Sequence, residues 1–225
     1  MNHFKQAGIL LWKDILLEFR TKERLSSMVV FSLLVIVVFN FAFGGGTEAI
    51  RRVASGVLWV AFIFAGTLGL NRSFALEKDR ECLQGLLLCP VDLGTIYAGK
   101  MVGNLIFTTL VEWITLPFFA LFLNVPILPR LPALLFVMLL GTIGFSSVGT
   151  IFAAMSVNTR MREVLLPILL FPIISPVIIA AVEATKVTLG EWDGDVFGEW
   201  TRMLGVFVVV FVTASYLAFD YVIEE

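Results

Sequence analysis

Six stretches of the chain are almost continuously apolar, with short polar or glycine-containing breaks between them. The first runs from Leu25 to Phe43 and closes at Gly44-Gly45-Gly46, and the second from Val53 to Leu70, stopping at Asn71-Arg72. The third, Met101 to Leu123, is interrupted by Glu112 and Pro117, and the fourth is Leu131 to Met155. The fifth, Val164 to Val182, carries Pro167, Pro172 and Pro176, and the sixth is Met203 to Phe219. Each approaches the roughly 20 residues that cross about 30 Å of hydrocarbon at 1.5 Å per residue. The pattern predicts an all-α membrane protein with six transmembrane helices in a single domain, residues 1–225. The three prolines predict a kinked or broken fifth helix, because each removes one backbone bond.

Three further segments lie between or before the runs. Over residues 1–24, Phe4, Gly8, Leu11, Trp12, Ile15 and Phe19 recur at helical spacing, while Gln6, Lys13 and Arg20 face the other way. That predicts an amphipathic helix lying in the membrane interface, the alternative being an extension of the first span. The loop 71–100 is charged through Glu77-Lys78-Asp79-Arg80-Glu81. It then sets Leu83, Leu86 and Leu87 on one ridge, closed by Pro90. A short ridged helix of this kind suits a partner's groove; the other reading is a solvated loop whose leucines rest on lipid. Residues 183–202 read as an external segment with Trp192 and Trp200 among acids and glycines, tryptophans that either mark the interface or bind a ligand.

Composition strengthens the membrane reading: 59% of residues are hydrophobic and 15% charged, more apolar surface than one soluble core of this length hides. The Lys/Arg bias orients the spans. Eleven basic residues fall in the N-terminal segment, the 71–100 loop and the 156–163 loop, and five (Arg51, Arg52, Arg130, Lys186, Arg202) on the other side. Both termini are therefore expected in the cytoplasm, with Arg51 and Arg52 against the rule. The first 24 residues are too charged for a signal-peptide h-region. A net charge of −2 gives no basic field for nucleic acid.

Candidate chemistry is sparse. Cys82, Cys89 and the single histidine, His3, match no metal or redox spacing, and no phosphate-binding loop or hydrolase motif occurs. Glu112 sits midway along the third run, where a charge costs roughly 2.5–3.5 kcal/mol. It is a candidate for a transport path or conformational switch. The alternative is a protonated carboxyl hydrogen-bonded through Thr108, Thr109 or Thr142. Gly141, Gly144, Ser146, Ser147 and Gly149 in the fourth run, with Gly56, Gly66 and Gly69 in the second, read as close helix packing.

Taken together, the interfacial helix, six spans and a cytoplasmic loop after the second resemble the membrane subunit of an ABC-2-type exporter. Within that class the chain resembles the CcmB family of haem/cytochrome c maturation permeases. The residues carrying this are Gly56-Val57-Leu58-Trp59-Val60-Ala61, Leu70-Asn71-Arg72-Ser73-Phe74 and Glu77 through Pro90, with Lys100 about ten residues on. The resemblance implies a non-catalytic subunit in a bacterial or archaeal cytoplasmic membrane. It implies that a separate ABC ATPase docks on Glu77, Asp79, Arg80, Glu81, Leu83, Gln84, Leu86 and Leu87. It further implies a haem-handling membrane subunit and a small membrane protein as partners, ATP bound by the ATPase partner, and haem as possible cargo. Two rivals stand beside it: an ABC-2 permease for another lipid or drug-like molecule, and a proton-coupled carrier using Glu112.

Overall fold

A computed structural model of the chain describes residues 3–44, 48–79, 92–157, 159 and 161–223. Seven α-helices and one short 3-10 turn make up the regular structure of the described residues, with no strand among them. Helix α1 is His3–Thr21, α2 Glu23–Phe43, α3 Glu48–Asp79 and α4 Leu93–Leu123. After the turn Leu128–Arg130 come α5 Leu131–Ser156, α6 Arg162–Leu189 and α7 Gly194–Ile223. Helices α2 to α7 each contain a stretch long and apolar enough to cross a membrane, six in all, and α1 precedes them. The six-span reading is met.

Span ends differ from the apolar runs, and always by lengthening. The second helix continues past Leu70 to Asp79, and the third starts at Leu93 rather than near Met101, so residues 71–79 and 93–100 of the expected loop are helical. Charged residues such as Lys and Glu are good helix formers, so a helix outlasts the hydrophobic stretch that marks its membrane portion. The segment 183–202 is likewise helical except for 190–193, where Asp193 Oδ1 accepts the Asp195 and Val196 N–H groups and starts α7. Nor do the prolines break the fifth span: α6 runs uninterrupted through Pro167, Pro172 and Pro176. Ser175 Oγ donates to the Pro172 carbonyl at 2.8 Å, one of the local adjustments by which helices in lipid absorb proline.

Helix α3 is the central post. Its most apolar stretch is 72% buried inside the protein, against 17% for that of α7, so α3 is enclosed by protein and α7 turns most of its apolar surface outward. Two glycines on α5 allow the approach to α3. A Cβ at Gly141 would run into the Trp59 indole, and one at Gly149 into the Leu70 side chain. Trp59 is itself buried and donates Nε1–H to Thr185 Oγ1 on α6 at 2.9 Å, so one indole ties three helices. Gly141→Leu is expected to expel Trp59 and cost about 1–3 kcal/mol, the usual penalty for overpacking. Thermal unfolding in mild detergent, with loss of the buried tryptophan's emission, measures it.

Candidate functional site

One end of the bundle gathers α1, the start of α2, the end of α3 and the start of α4. At that end α1 turns its acids inward. Trp12 and Phe19 are 66% and 69% exposed, so the aromatic face points away from the protein. The opposite face, with Leu10, Asp14 and Glu18, packs toward α4 and α2. An amphipathic helix whose apolar side is outward and whose acids are inward has lipid on one side and a polar protein joint on the other.

That joint is built from two buried cations. Lys100, on the second turn of α4, is almost fully buried. Its ammonium donates to Asp14 Oδ2 at 2.9 Å and to the Ser73 carbonyl at 3.1 Å, and lies 5.3 Å from the Phe74 ring centre. One nitrogen thus holds α1, α3 and α4 together. Arg24, on the first turn of α2, is also buried. Its Nη2 donates to Asn104 Oδ1 at 2.7 Å, its guanidinium lies over Phe107, and Asn104 Nδ2 donates on to Thr150 Oγ1 at 2.8 Å. This chain crosses α2, α4 and α5. Glu18 completes the corner: its carboxylate accepts the Leu25 N–H at 2.8 Å, satisfying an otherwise free donor at the start of α2. The bend between α1 and α2 is made by Lys22 in the left-handed region, φ 56°.

Deeper in the bundle, Glu112 on α4 is buried. Thr142 on α5, one of the three hydroxyls considered, places its Oγ1 2.5 Å from Glu112 Oε1 and 2.8 Å from the Met138 carbonyl, so the two acceptors share its single O–H. Trp59, Phe62, Thr108 and Phe145 surround them, leaving a cavity of about 10 Å³, roughly the minimum for one water. Thr109 keeps its hydroxyl buried without a partner. Nearby, Ser32 and Thr115 hydroxyls lie 2.9 Å apart between α2 and α4.

Of the residues expected to dock an ATPase, Glu77 and Asp79 fall on the last turns of α3, but their side chains lie outside the described residues. Arg80, Glu81, Leu83, Gln84, Leu86 and Leu87 lie outside them altogether, as do Cys82 and Cys89. What the structure does describe are the two flanks of that stretch, Phe74 and Leu93 onward, and the first is clamped by Lys100.

The sequence profile of the family described as "CcmB protein" matches residues 5–224, nearly the whole chain. This chain belongs to the CcmB family. Among curated relatives, the Heme exporter protein B of Rhodobacter capsulatus is 32% identical over 79% of this chain and 81% of its own length. That of Pseudomonas aeruginosa is 30% identical over 81% of each, and that of Haemophilus influenzae 28% identical over 92% and 91%. The CcmB resemblance carried by motifs between Gly56 and Lys100 therefore extends over all six spans.

Sequence pattern alone does not single out the Asp14–Lys100 and Arg24–Asn104 pairs. A signal was there: Asp14 and Glu18 are four apart on one helical face, opposite the aromatic face, and Arg24 and Lys100 each stand directly before an apolar run. By sequence alone Arg24 counts only toward orientation, and Lys100 toward orientation and the family resemblance.

Proposed function

We propose that this CcmB-family chain is the permease subunit of an ABC transporter acting in cytochrome c maturation. In this reading a separate ATPase subunit docks on the 74–90 stretch. Its hydrolysis of ATP drives haem delivery, or release of the haem-loaded chaperone, at the outer face. A haem-handling membrane subunit and a small membrane protein complete the assembly. The chain lies in the cytoplasmic membrane with both termini inside, and contributes no catalytic group. The observation that carries the reading is the family match over residues 5–224, with relatives named Heme exporter protein B.

The mechanism follows from where the buried cations sit. A partner pushing on the 74–90 stretch loads the end of α3, where Lys100 holds the Ser73 carbonyl and the Phe74 ring. Because the same ammonium holds Asp14, the load passes to α1 in the interface and to α4 along its axis. Arg24, Asn104 and Thr150 hand it on to α2 and α5. Displacing a charged joint in a low-dielectric setting costs enough that its members move as a unit. Glu112 lies on the same α4, two and a bit turns beyond Asn104, and its bond to Thr142 is a second link to α5 whose change would follow that motion.

The test is made in cells that depend on this chain for cytochrome c. Leu83→Asp or Leu87→Asp is expected to abolish covalent haem on c-type cytochromes, read by haem staining, with the chain still present in the membrane at normal abundance. Normal maturation in both variants would remove the docking assignment.

A further inference from the structure

The opposite end of the bundle holds a cleft of about 550 Å³ between the first turns of α3 and the last turn of α6. Its walls include Glu48, Arg51, Arg52, Ser55, Lys186 and Glu191. This is the end where the Lys/Arg distribution disfavours basic residues, and adjacent arginines there ask for a reason. The other basic residues at this end have structural work. Arg130 donates to the Thr188 and Gly190 carbonyls and lies against the Trp192 ring. Lys186 pairs with Glu183 at 3.1 Å, and Arg202 donates to the Gly198 carbonyl. Arg51 has a single bond, 3.3 Å to the Asn124 carbonyl. Among the described residues Arg52, Glu48 and Glu191 make no hydrogen bond or ion pair, and the Ser55 hydroxyl makes no hydrogen bond.

The cleft therefore offers two guanidinium groups and two carboxylates, both sets with spare bonding capacity, at the end of membrane-spanning helices. We infer that it is a binding site for the headgroup of a membrane phospholipid carrying both a phosphate and a primary ammonium. The fork of Arg51 and Arg52 suits phosphate oxygens, and Glu48 and Glu191 suit an ammonium with N–H donors. A volume within the range of small-ligand sites holds such a group, while the acyl chains extend along the apolar helices. A purely anionic ligand would leave the two carboxylates opposed to it. A porphyrin would need apolar walls, and here only Leu189 and Gly190 are uncharged besides Ser55. The site serves the bilayer rather than the cargo, so it stands or falls apart from the haem reading.

Native mass spectrometry of the full-length chain in mild detergent tests it, with phosphatidylethanolamine, phosphatidylglycerol or phosphatidylcholine added in turn. Wild type is expected to retain phosphatidylethanolamine at least several-fold above the other two. Arg51→Gln with Arg52→Gln should lose that retention, and Glu48→Gln with Glu191→Gln should keep lipid but lose the preference for the amine. All four residues are exposed, so the variants fold, which unchanged helical circular dichroism checks. Free phosphoethanolamine is expected to compete only weakly; full displacement by it at low concentration would make the ligand a soluble metabolite and overturn the lipid assignment. Equal retention of all three lipids, or none lost in the arginine variant, would also overturn it. So would iron protoporphyrin binding that needs Arg51 and Arg52 and disappears with the porphyrin dimethyl ester.

Discussion

Asp14→Asn is expected to destabilise the folded chain by about 3 kcal/mol, at the lower end of what breaking one side of a buried ion pair costs. The substitution leaves the Lys100 ammonium in its buried place without the carboxylate 2.9 Å away. Of the contacts described above, the Ser73 carbonyl and the Phe74 ring remain, and both are weaker than a carboxylate as partners of a cation. The lower end applies because Asp14 is 15% exposed, so some solvent reaches the pair. Removing both charges together, as Asp14→Leu with Lys100→Met, is expected to restore stability to within about 1 kcal/mol, since apolar pairs often replace buried ion pairs without loss. Stability and function then separate. The double variant folds, yet α1, α3 and α4 no longer share a charged joint, and cytochrome c maturation is expected to stay low. Denaturant titration in mild detergent and haem staining in cells read the two properties. Full maturation in a stable double variant would show that the joint is structural only.

Asn104→Leu carries the second large effect, about 2–3 kcal/mol, appropriate to a lost hydrogen bond to a charged group with that group left buried. Arg24 would keep the Phe107 ring, but its Nε is already without a partner and its Nη2 would join it. The comparison that decides the cause is Ser32→Ala. It removes a bond of similar length between neutral hydroxyls across α2 and α4, and neutral bonds between membrane helices average about 0.6 kcal/mol. Asn104→Asp is expected to hold stability within about 1 kcal/mol of wild type, because a carboxylate accepts from Arg24 and Thr150 retains its bond to the Ser146 carbonyl. If leucine and aspartate at 104 proved equally harmful, shape rather than the Arg24 charge would be the cause.

The spans were legible because bilayer thickness demands apolar runs of a fixed length, and no alternative element produces six of them. Their ends were less so: a charge was read as the end of a helix, whereas Lys100 sits inside one and is neutralised from another element 86 residues away. Pairings at that separation leave no periodic trace. Glu112 drew notice because its cost in lipid is set by sequence position alone, and Thr142 was among the partners considered. Between three hydroxyls only packing could choose. Helix α1 is legible from its aromatic spacing, but spacing alone does not tell that the acids opposite are the side that meets the protein. The anomaly of Arg51 and Arg52 was plain from the charge distribution. The cleft they line depends on the far end of α6 and was not.

The central claim is that this chain works as the membrane subunit of a haem-delivering ABC assembly. Its most direct test is recovery of the tagged chain from native membranes in mild detergent, with its partners identified and ATPase activity assayed. The account predicts a separate ATPase together with haem-handling membrane proteins, and loss of the ATPase alone in Leu83→Asp. An ATPase without haem-handling partners would leave a permease for another cargo. A chain that stays alone even after crosslinking, and is active in vesicles without nucleotide, would contradict the account.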